Sequence, residues 1–251
     1  MARVAIPASV QPLLRRIGAL AEVQRMNAYA VGGCVRDWLL RRRAGAADLD
    51  VAVEGNAIEL ARSVGQELGG TVTAHQPFGT ATLRLNGLPG RRIDFATCRR
   101  ETYAKPAAYP KVTRGTLRDD LFRRDFTINT MAVVLHRGRL GTLIDPFGGV
   151  RDLRRRQLRI LHPRSFLDDP SRILRGVRFL VRFGLRWEPH TERVAREAVS
   201  RGAIGWLNTG RLRKELDRIA SEEDPRACLE RFAELFTRVG PGTARRVRGR
   251  A

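Results

Sequence analysis

Asp48 and Asp50 stand one residue apart at the start of a β-like run that continues through Val51, Ala52 and Val53. Side chains at i and i+2 of a strand share a face, so both carboxylates are placed to meet one hard cation. A solvent-facing pair at a strand end reads the tripeptide equally well. Upstream, Val31-Gly32-Gly33-Cys34-Val35-Arg36-Asp37 sets two glycines between a strand and a helix. Backbone N–H groups at such a helix start can face a phosphate, with Arg36 one turn in as a charged contact. The same strand, glycine turn and helix also occur as plain architecture. Downstream, Arg124, Asp125 and Asn129 gather at the expected opening of a helix. They offer a phosphate clamp beside side chains able to hydrogen-bond a ribose, while Asp125 or Thr127 would also serve as a helix N-cap. Arg172, Arg175 and Arg178 recur every third residue on a helix expected over 171–183, whose apolar positions are Ile173, Leu174, Val177 and Leu180. A stripe of this kind is ordinarily a solvated face.

These residues need elements to position them. Apolar residues at helical spacing predict a lead-in helix over 8–25. Short β-like runs follow at 28–31, 49–53, 80–85, 92–96 and 131–135, interleaved with helical patterns at 34–42 and 57–68. The expected fold class is therefore α+β, a mixed sheet with helices packed on it. From about Pro170 onward only helical stretches are expected, at 171–183, 189–199, 210–220 and 225–239, making an all-helical domain. The turn-rich segment 145–149 marks the approach to the boundary, with a short strand at 158–161 still in the first part. The expected division is an N-terminal helix at 1–26, a sheet domain at 27–162, a helical domain at 163–239 and a loose basic tail at 240–251.

Composition narrows the partner. The 251 residues are 43% apolar, enough for a full core, and 47 Lys plus Arg against 26 Asp plus Glu give a net charge of +21. Only Lys105, Lys111 and Lys214 are lysines, so the surface is rich in arginine, suited to bidentate phosphate contacts and salt-dependent binding of nucleic acid. A bias toward arginine codons would leave the same composition. Cys34, Cys98 and Cys228 are widely spaced and odd in number, against a disulfide framework or a zinc site, and the four histidines show no ligand spacing. No apolar run approaches a membrane span, and Pro7, Pro12 and Arg15-Arg16 interrupt any signal-like core. A cytoplasmic, unprocessed chain with no membrane partner is expected.

The order of the motifs carries a further reading. The glycine pair leading into Val35-Arg36-Asp37, followed by Asp48-Leu49-Asp50, resembles the head domain of class II tRNA nucleotidyltransferases and bacterial poly(A) polymerases, in the polymerase-β-like superfamily. Phe78-Gly79-Thr80-Ala81 and Ile93-Asp94-Phe95-Ala96-Thr97-Cys98-Arg99 are similar to its next two strands. The stretch from Asp120 through Arg123-Arg124-Asp125-Phe126-Thr127-Ile128-Asn129 to Ala132 is similar to its DLxRRDFTINAMA motif. Ile144-Asp145-Pro146-Phe147-Gly148-Gly149 is similar to the family's connector. Asp168-Asp169-Pro170-Ser171-Arg172 stands where the family has EDxxR, with Asp168 in place of the usual Glu, and Arg211 to Leu216 is similar to the RxxxE helix that follows.

The resemblance implies that Asp48 and Asp50 hold Mg2+, with Asp94 as a third catalytic carboxylate. Gly32, Gly33, Arg36 and Arg124 would contact the triphosphate, and Asp125 and Asn129 the sugar. Asp169 and Arg172 would read the incoming base, with Arg175 and Arg178 completing the nucleotide-binding stripe. The implied reaction adds CMP or AMP, from CTP or ATP, to the 3′ end of tRNA or another RNA. Poly(A) tailing and partial A- or CC-addition are the alternatives within the family, and a non-catalytic RNA-binding protein is the alternative outside it. A flexible loop is expected over 99–121. Members of the family continue through body and tail domains, so this chain is expected to be a short form, a fragment, or dependent on its basic tail or on dimerisation for RNA grip.

Overall fold

Strand alternation decides the centre of the fold. A computed structural model describes residues 2–42, 48–86 and 92–237; the expected basic tail lies outside them. In chain order, α1 (Gln11–Val23) leads into β1 (Asn27–Val31), α2 (Gly33–Leu39), β2 (Asp48–Glu54) and α3 (Ala57–Leu68). Three strands follow, β3 (Gly70–His75), β4 (Thr80–Leu85) and β5 (Arg92–Thr97). On β1 and β2, Ala28, Ala30, Leu49, Val51 and Val53 point into the main core with Ile93 and Phe95 of β5, where α1 and α3 cover them. The alternate residues Tyr29, Val31 and Ala52 point to the opposite face, and so does Asp50. One face of the sheet is thus sealed by helices, and the other is left to build a site.

The next elements complete that second face. They are β6 (Arg99–Thr102), β7 (Lys111–Arg114), α4 (Leu117–Phe122), β8 (Ala132–Val134), β9 (Leu143–Ile144) and α5 (Gly149–Arg154). The main sheet runs β3-β4-β5-β2-β1-β8-β9, with β2 and β5 parallel and the other neighbours antiparallel, while β6 and β7 pair as a separate hairpin. This hairpin and α4 occupy the segment expected as a flexible loop. The helix begins at a capping box in which the Thr116 hydroxyl accepts from the Asp119 N–H and the Asp119 carboxylate accepts from the Thr116 N–H. The edge strand β3 and the helix α5 were also hidden in the sequence. Alternate residues of β3 are half-buried rather than core, and α5 is opened by a carboxylate outside it, Asp145, which accepts from the N–H groups of Gly149 and Val150.

Beyond lie β10 (Gln157–Leu158), α6 (Ser165–Asp168), α7 (Ser171–Phe183), β11 (Arg186–Trp187), α8 (Pro189–Ser200), α9 (Thr209–Ala220) and α10 (Pro225–Ala233). The expectation of helices alone after Pro170 fails at β11, which pairs in parallel with β10. Two residues are too short for periodicity to register. The last helix ends at Ala233 rather than 239. Packing runs on across position 162: Phe126, Phe166, Phe179 and Trp187 stack with ring centroids 5.9 to 6.3 Å apart. At the centre of that cluster the Trp187 ring fills the place of a side chain on Gly176, where a Cβ would stand only 2.1 Å from it. The helices of the second half are therefore seated on the first by a continuous aromatic core.

Candidate active site

The open face of the sheet floors a cleft of about 790 Å3, walled by Arg123 to Asp125 after α4, by α7 and by the β6–β7 hairpin. Register places Asp50 of β2 beside Asp94 of β5, and Asp94 beside Thr82 of β4, so three polar side chains line one row of the floor. The Thr82 hydroxyl donates to Asp94 at 2.6 Å, and Arg92 pairs with the same carboxylate at 3.0 Å. Asp48 pairs in register with Arg92, and its side chain lies outside the described residues. Asp50 and Asp94 are hard oxygen donors on adjacent strands, a donor set that fits magnesium rather than a soft metal. Among the described residues no group of three His, Cys, Asp or Glu side chains is arranged around a metal position.

Gly32 is the hinge of the floor. Its φ is +76°, and a Cβ there would stand 2.6 Å from Nη1 of Arg124 and 3.6 Å from Oδ2 of Asp50. The missing side chain lets a guanidinium and a carboxylate approach the same strip of backbone, a geometry that a phosphate and a cation would share. Arg124 is braced from behind by Asp120, whose fully buried carboxylate accepts from Arg123 at 2.9 and 2.7 Å and from Arg124 at 3.1 Å. Burial pushes the Asp120 carboxyl upward, but the Arg124 and Arg123 guanidiniums outweigh it and hold the group below the ordinary carboxylate range. Among the described residues, the buried Nε of Arg124 has no acceptor of its own. Cys34, between Gly33 and the floor, has its thiol pushed up to about 12 by burial and then by the Asp50 charge, so it is no nucleophile at neutral pH.

A polar chain crosses from the sheet to α7. Arg36 donates to Oδ1 of Asn129 at 2.7 Å and to Asp37 at 2.9 Å, and its guanidinium lies over the Phe183 ring at 4.2 Å. Asn129 donates to Asp125 at 3.0 Å, the same oxygen accepts the Phe126 N–H at 2.8 Å, and the other carboxylate oxygen stands 2.6 Å from Arg175. Burial raises the Asp125 carboxyl, but Arg175 and the Asn129 hydrogen bond reverse the shift; the same pair raises Arg175. All four residues line the cleft. The expected helix after Arg124 is a single 3-10 turn, Thr127–Asn129, without a side-chain cap, because the Thr127 hydroxyl is drawn to Asp152 and Asp125 to Arg175.

The wall opposite the floor carries Asp169 and Arg172. Oδ1 of Asp169 accepts from the Ser171 N–H at 3.1 Å, the Ser171 hydroxyl at 2.6 Å and Arg211 at 2.6 Å. Arg172 donates to the Ser165 hydroxyl and to the Arg123 carbonyl, each at 2.7 Å, and reaches Asp169 at 4.0 Å. Arg178 does not join the cleft; it turns to Glu222 at 2.8 Å and Glu215 at 3.5 Å. Sequence reasoning missed Asp120, Glu101, Tyr103 and Arg211. The buried Glu101 side chain accepts from Arg99, Arg123 and the Tyr103 hydroxyl, and Tyr103 faces the cleft with its hydroxyl pushed well above its ordinary pKa by burial and by Glu101. Arg211 also donates to the Ala107 carbonyl at 3.1 Å, and Tyr109 accepts from Asn208 at 3.2 Å, so the hairpin loop is tied to α9. The carboxylate of Asp120 at i−3 and i−4 from two arginines was the one signal available in advance.

A sheet with carboxylates paired across two adjacent strands, a glycine turn at its edge and an arginine wall opposite defines a nucleotidyltransferase head. Residues 28–159 match the poly A polymerase head domain family, and the chain belongs to the class II tRNA nucleotidyltransferase family built on that head. It is 41% identical over 225 residues to the A-adding tRNA nucleotidyltransferase of Halalkalibacterium halodurans, covering 89% of this chain and 52% of that one. Among solved structures, a CCA-adding enzyme in its apo form II superposes with a TM-score of 0.86 at 40% identity, over 94% of this chain and 57% of the other. A tRNA nucleotidyltransferase complexed with a primer tRNA and an incoming ATP analog gives 0.78 at 40% identity, over 87% and 60%. The chain thus spans about half the length of the curated relative it matches.

Proposed function

We propose that this protein transfers AMP, or CMP and AMP, from the nucleoside triphosphate to the 3′ hydroxyl of tRNA, releasing pyrophosphate. The observation that carries the reading is the opposition, across one cleft, of Asp50, Asp94 and Arg124 on the head side with Asp169, between α6 and α7, and Arg172 on α7. One end suits a triphosphate and the other the edge of a base. Asp50 and Asp94, together with Asp48, are the residues that would hold Mg2+; when bound, the ion supplies Lewis-acid stabilisation of the attacking and leaving oxygens. Arg124, held by Asp120, neutralises phosphate charge. Asp169 accepts and Arg172 donates toward the base, and the Arg211 and Ser165 contacts fix their orientation. Arg175, ion-paired to Asp125, presents a fixed cation in the same space, while Asn129 and Asp125 form the wall next to the sugar.

The split of tasks proposed follows the expected division, 27–162 for the phosphate end and 163–239 for the base-reading end, with the N-terminal helix of 1–26 behind the sheet. The A-adding relative favours AMP as the nucleotide. No helix among the described residues is long and apolar enough to cross a membrane. The test is incubation with Mg2+, labelled ATP or CTP, and tRNA ending before its 3′ A or before CCA. Incorporation that vanishes in Asp50→Ala is expected, and sequencing of the added tail separates single A, CCA and poly(A). No incorporation by the wild-type protein would leave the non-catalytic RNA-binding reading in its place.

A further inference from the structure

Arg178 was diverted from the cleft, and where it goes is informative. A second groove, of about 520 Å3, opens between α7 and α9, lined by Arg178, Arg182, Arg213, Lys214 and Arg218 with Asp217 as its one acidic wall residue. Three of the cations are anchored from beneath. The buried Glu222 side chain accepts from Arg178 at 2.8 Å and from Arg182 at 2.9 and 2.7 Å, and the buried Glu215 accepts from Arg218. Arg182 and Arg218 each keep 41% side-chain exposure despite these anchors. Arg213 and Lys214 are exposed, and among the described residues their side chains enter no ion pair or hydrogen bond. Cations exceed carboxylates even when Glu215 and Glu222 are counted. The lining holds no large apolar side chain.

The groove and the cleft share helix α7. Arg172, Arg175, Arg178 and Arg182 step along α7 at intervals of three, three and four residues, turning from the cleft toward the groove. At 1.5 Å per residue they span about 15 Å. The first two line the cleft and the last two line the groove. An anchored guanidinium loses little side-chain freedom when it meets a phosphate, so such a track is preorganised for a chain of regularly spaced anions.

We propose that the α7–α9 groove is a docking track for the RNA phosphate backbone upstream of the 3′ end delivered to the cleft. The inference rests on the transferase reading for its direction but is separable from it by experiment. Arg213→Ala with Lys214→Ala removes the two unengaged cations and leaves the Glu-anchored arginines in place. The probes are a synthetic RNA hairpin with a single-stranded 3′ overhang and a trinucleotide primer of the same 3′ sequence. Binding is followed by fluorescence anisotropy across a salt series, and labelled ATP incorporation is followed on both.

The double variant is expected to bind the hairpin about tenfold more weakly at 0.1 M salt, and the slope of log affinity against log salt should shrink by roughly 1.5 to 2. The KM for ATP on the trinucleotide should not move, and neither should the melting temperature. Unchanged hairpin affinity and slope would overturn the proposal, as would an equal loss on the trinucleotide, which would mean that the groove acts through the cleft. Binding of poly-glutamate that is lost in parallel with the hairpin would overturn it in favour of an acidic protein partner. Should wild-type protein bind the hairpin in this salt-dependent, variant-sensitive way yet incorporate nothing, the groove stands and the transferase reading fails.

Discussion

Asp120→Asn tests whether the phosphate end of the cleft is built by one buried carboxylate. Asp120 is fully buried and accepts three hydrogen bonds from two guanidiniums. Asparagine keeps a single acceptor oxygen, so serving Arg123 turns its amide group toward Arg124, donor against donor. Removing one partner of a buried pair costs about 3–5 kcal/mol. Arg123 and Arg124 keep 19% and 17% side-chain exposure, so water recovers part of this and a loss of about 2–3 kcal/mol is expected. At roughly 2–4 °C per kcal/mol for a chain of this size, melting should fall by about 4–12 °C.

Released from its anchor, Arg124 leaves the strip beside Gly32, and one hydrogen bond to a charged group corresponds to roughly ten- to hundredfold in kcat/KM for ATP. Scanning calorimetry and labelled-ATP incorporation on tRNA ending in CC measure both effects. In the Arg124→Ala background, Asp120→Asn should lower kcat/KM little further. The reasoning is refuted if Asp120→Asn leaves kcat/KM within twofold of wild type while Arg124→Ala alone abolishes it.

Gly32→Ala should cost about 1–3 kcal/mol from its positive φ and should suppress incorporation more than it lowers melting, since the new methyl meets Arg124; kinetics and calorimetry on one preparation compare the two. Arg211→Ala frees Asp169 from its 2.6 Å partner and the hairpin loop from α9, and is expected to raise misincorporation of CMP relative to AMP in a competition assay. Asp120 and Asp125 both titrate below the ordinary carboxylate range. Their contribution to stability is complete above about pH 4 and is lost as pH falls through the lower folded values, so acid melting curves should flatten below about pH 4 in an Asp120→Asn, Asp125→Asn double variant.

What the sequence revealed follows from periodicity. The two-residue repeat of β2 put Asp50 opposite Leu49, Val51 and Val53, and this face is the one that the structure opens to the cleft. Gly32 and the Arg124, Asp125, Asn129 group also lie in the cleft, although the last group is held by a polar chain rather than by a helix opening. Arg178 was misread because a three-residue step rotates a helical stripe by about 60°, so the third arginine leaves the face of the first. Residues 99–122 resisted reading because their structure depends on distant partners. Glu54 accepts the Leu117 N–H at 2.7 Å, and Ala107 donates to the Leu167 carbonyl at 2.9 Å. The same holds for α5, whose opening carboxylate lies outside the helix.

The aromatic seam around Gly176 has a mechanical meaning. Phe126 and Phe166 are fully buried where α7 meets the head, and swinging the helices away would expose each at about 1.5–3 kcal/mol. The two ends of the cleft are therefore held at a fixed separation, like the jaws of a set caliper. The β6–β7 hairpin bridges the two jaws, held to the head side by Glu101 and Arg123 and to the helices by contacts at Ala107, Tyr109 and Arg211.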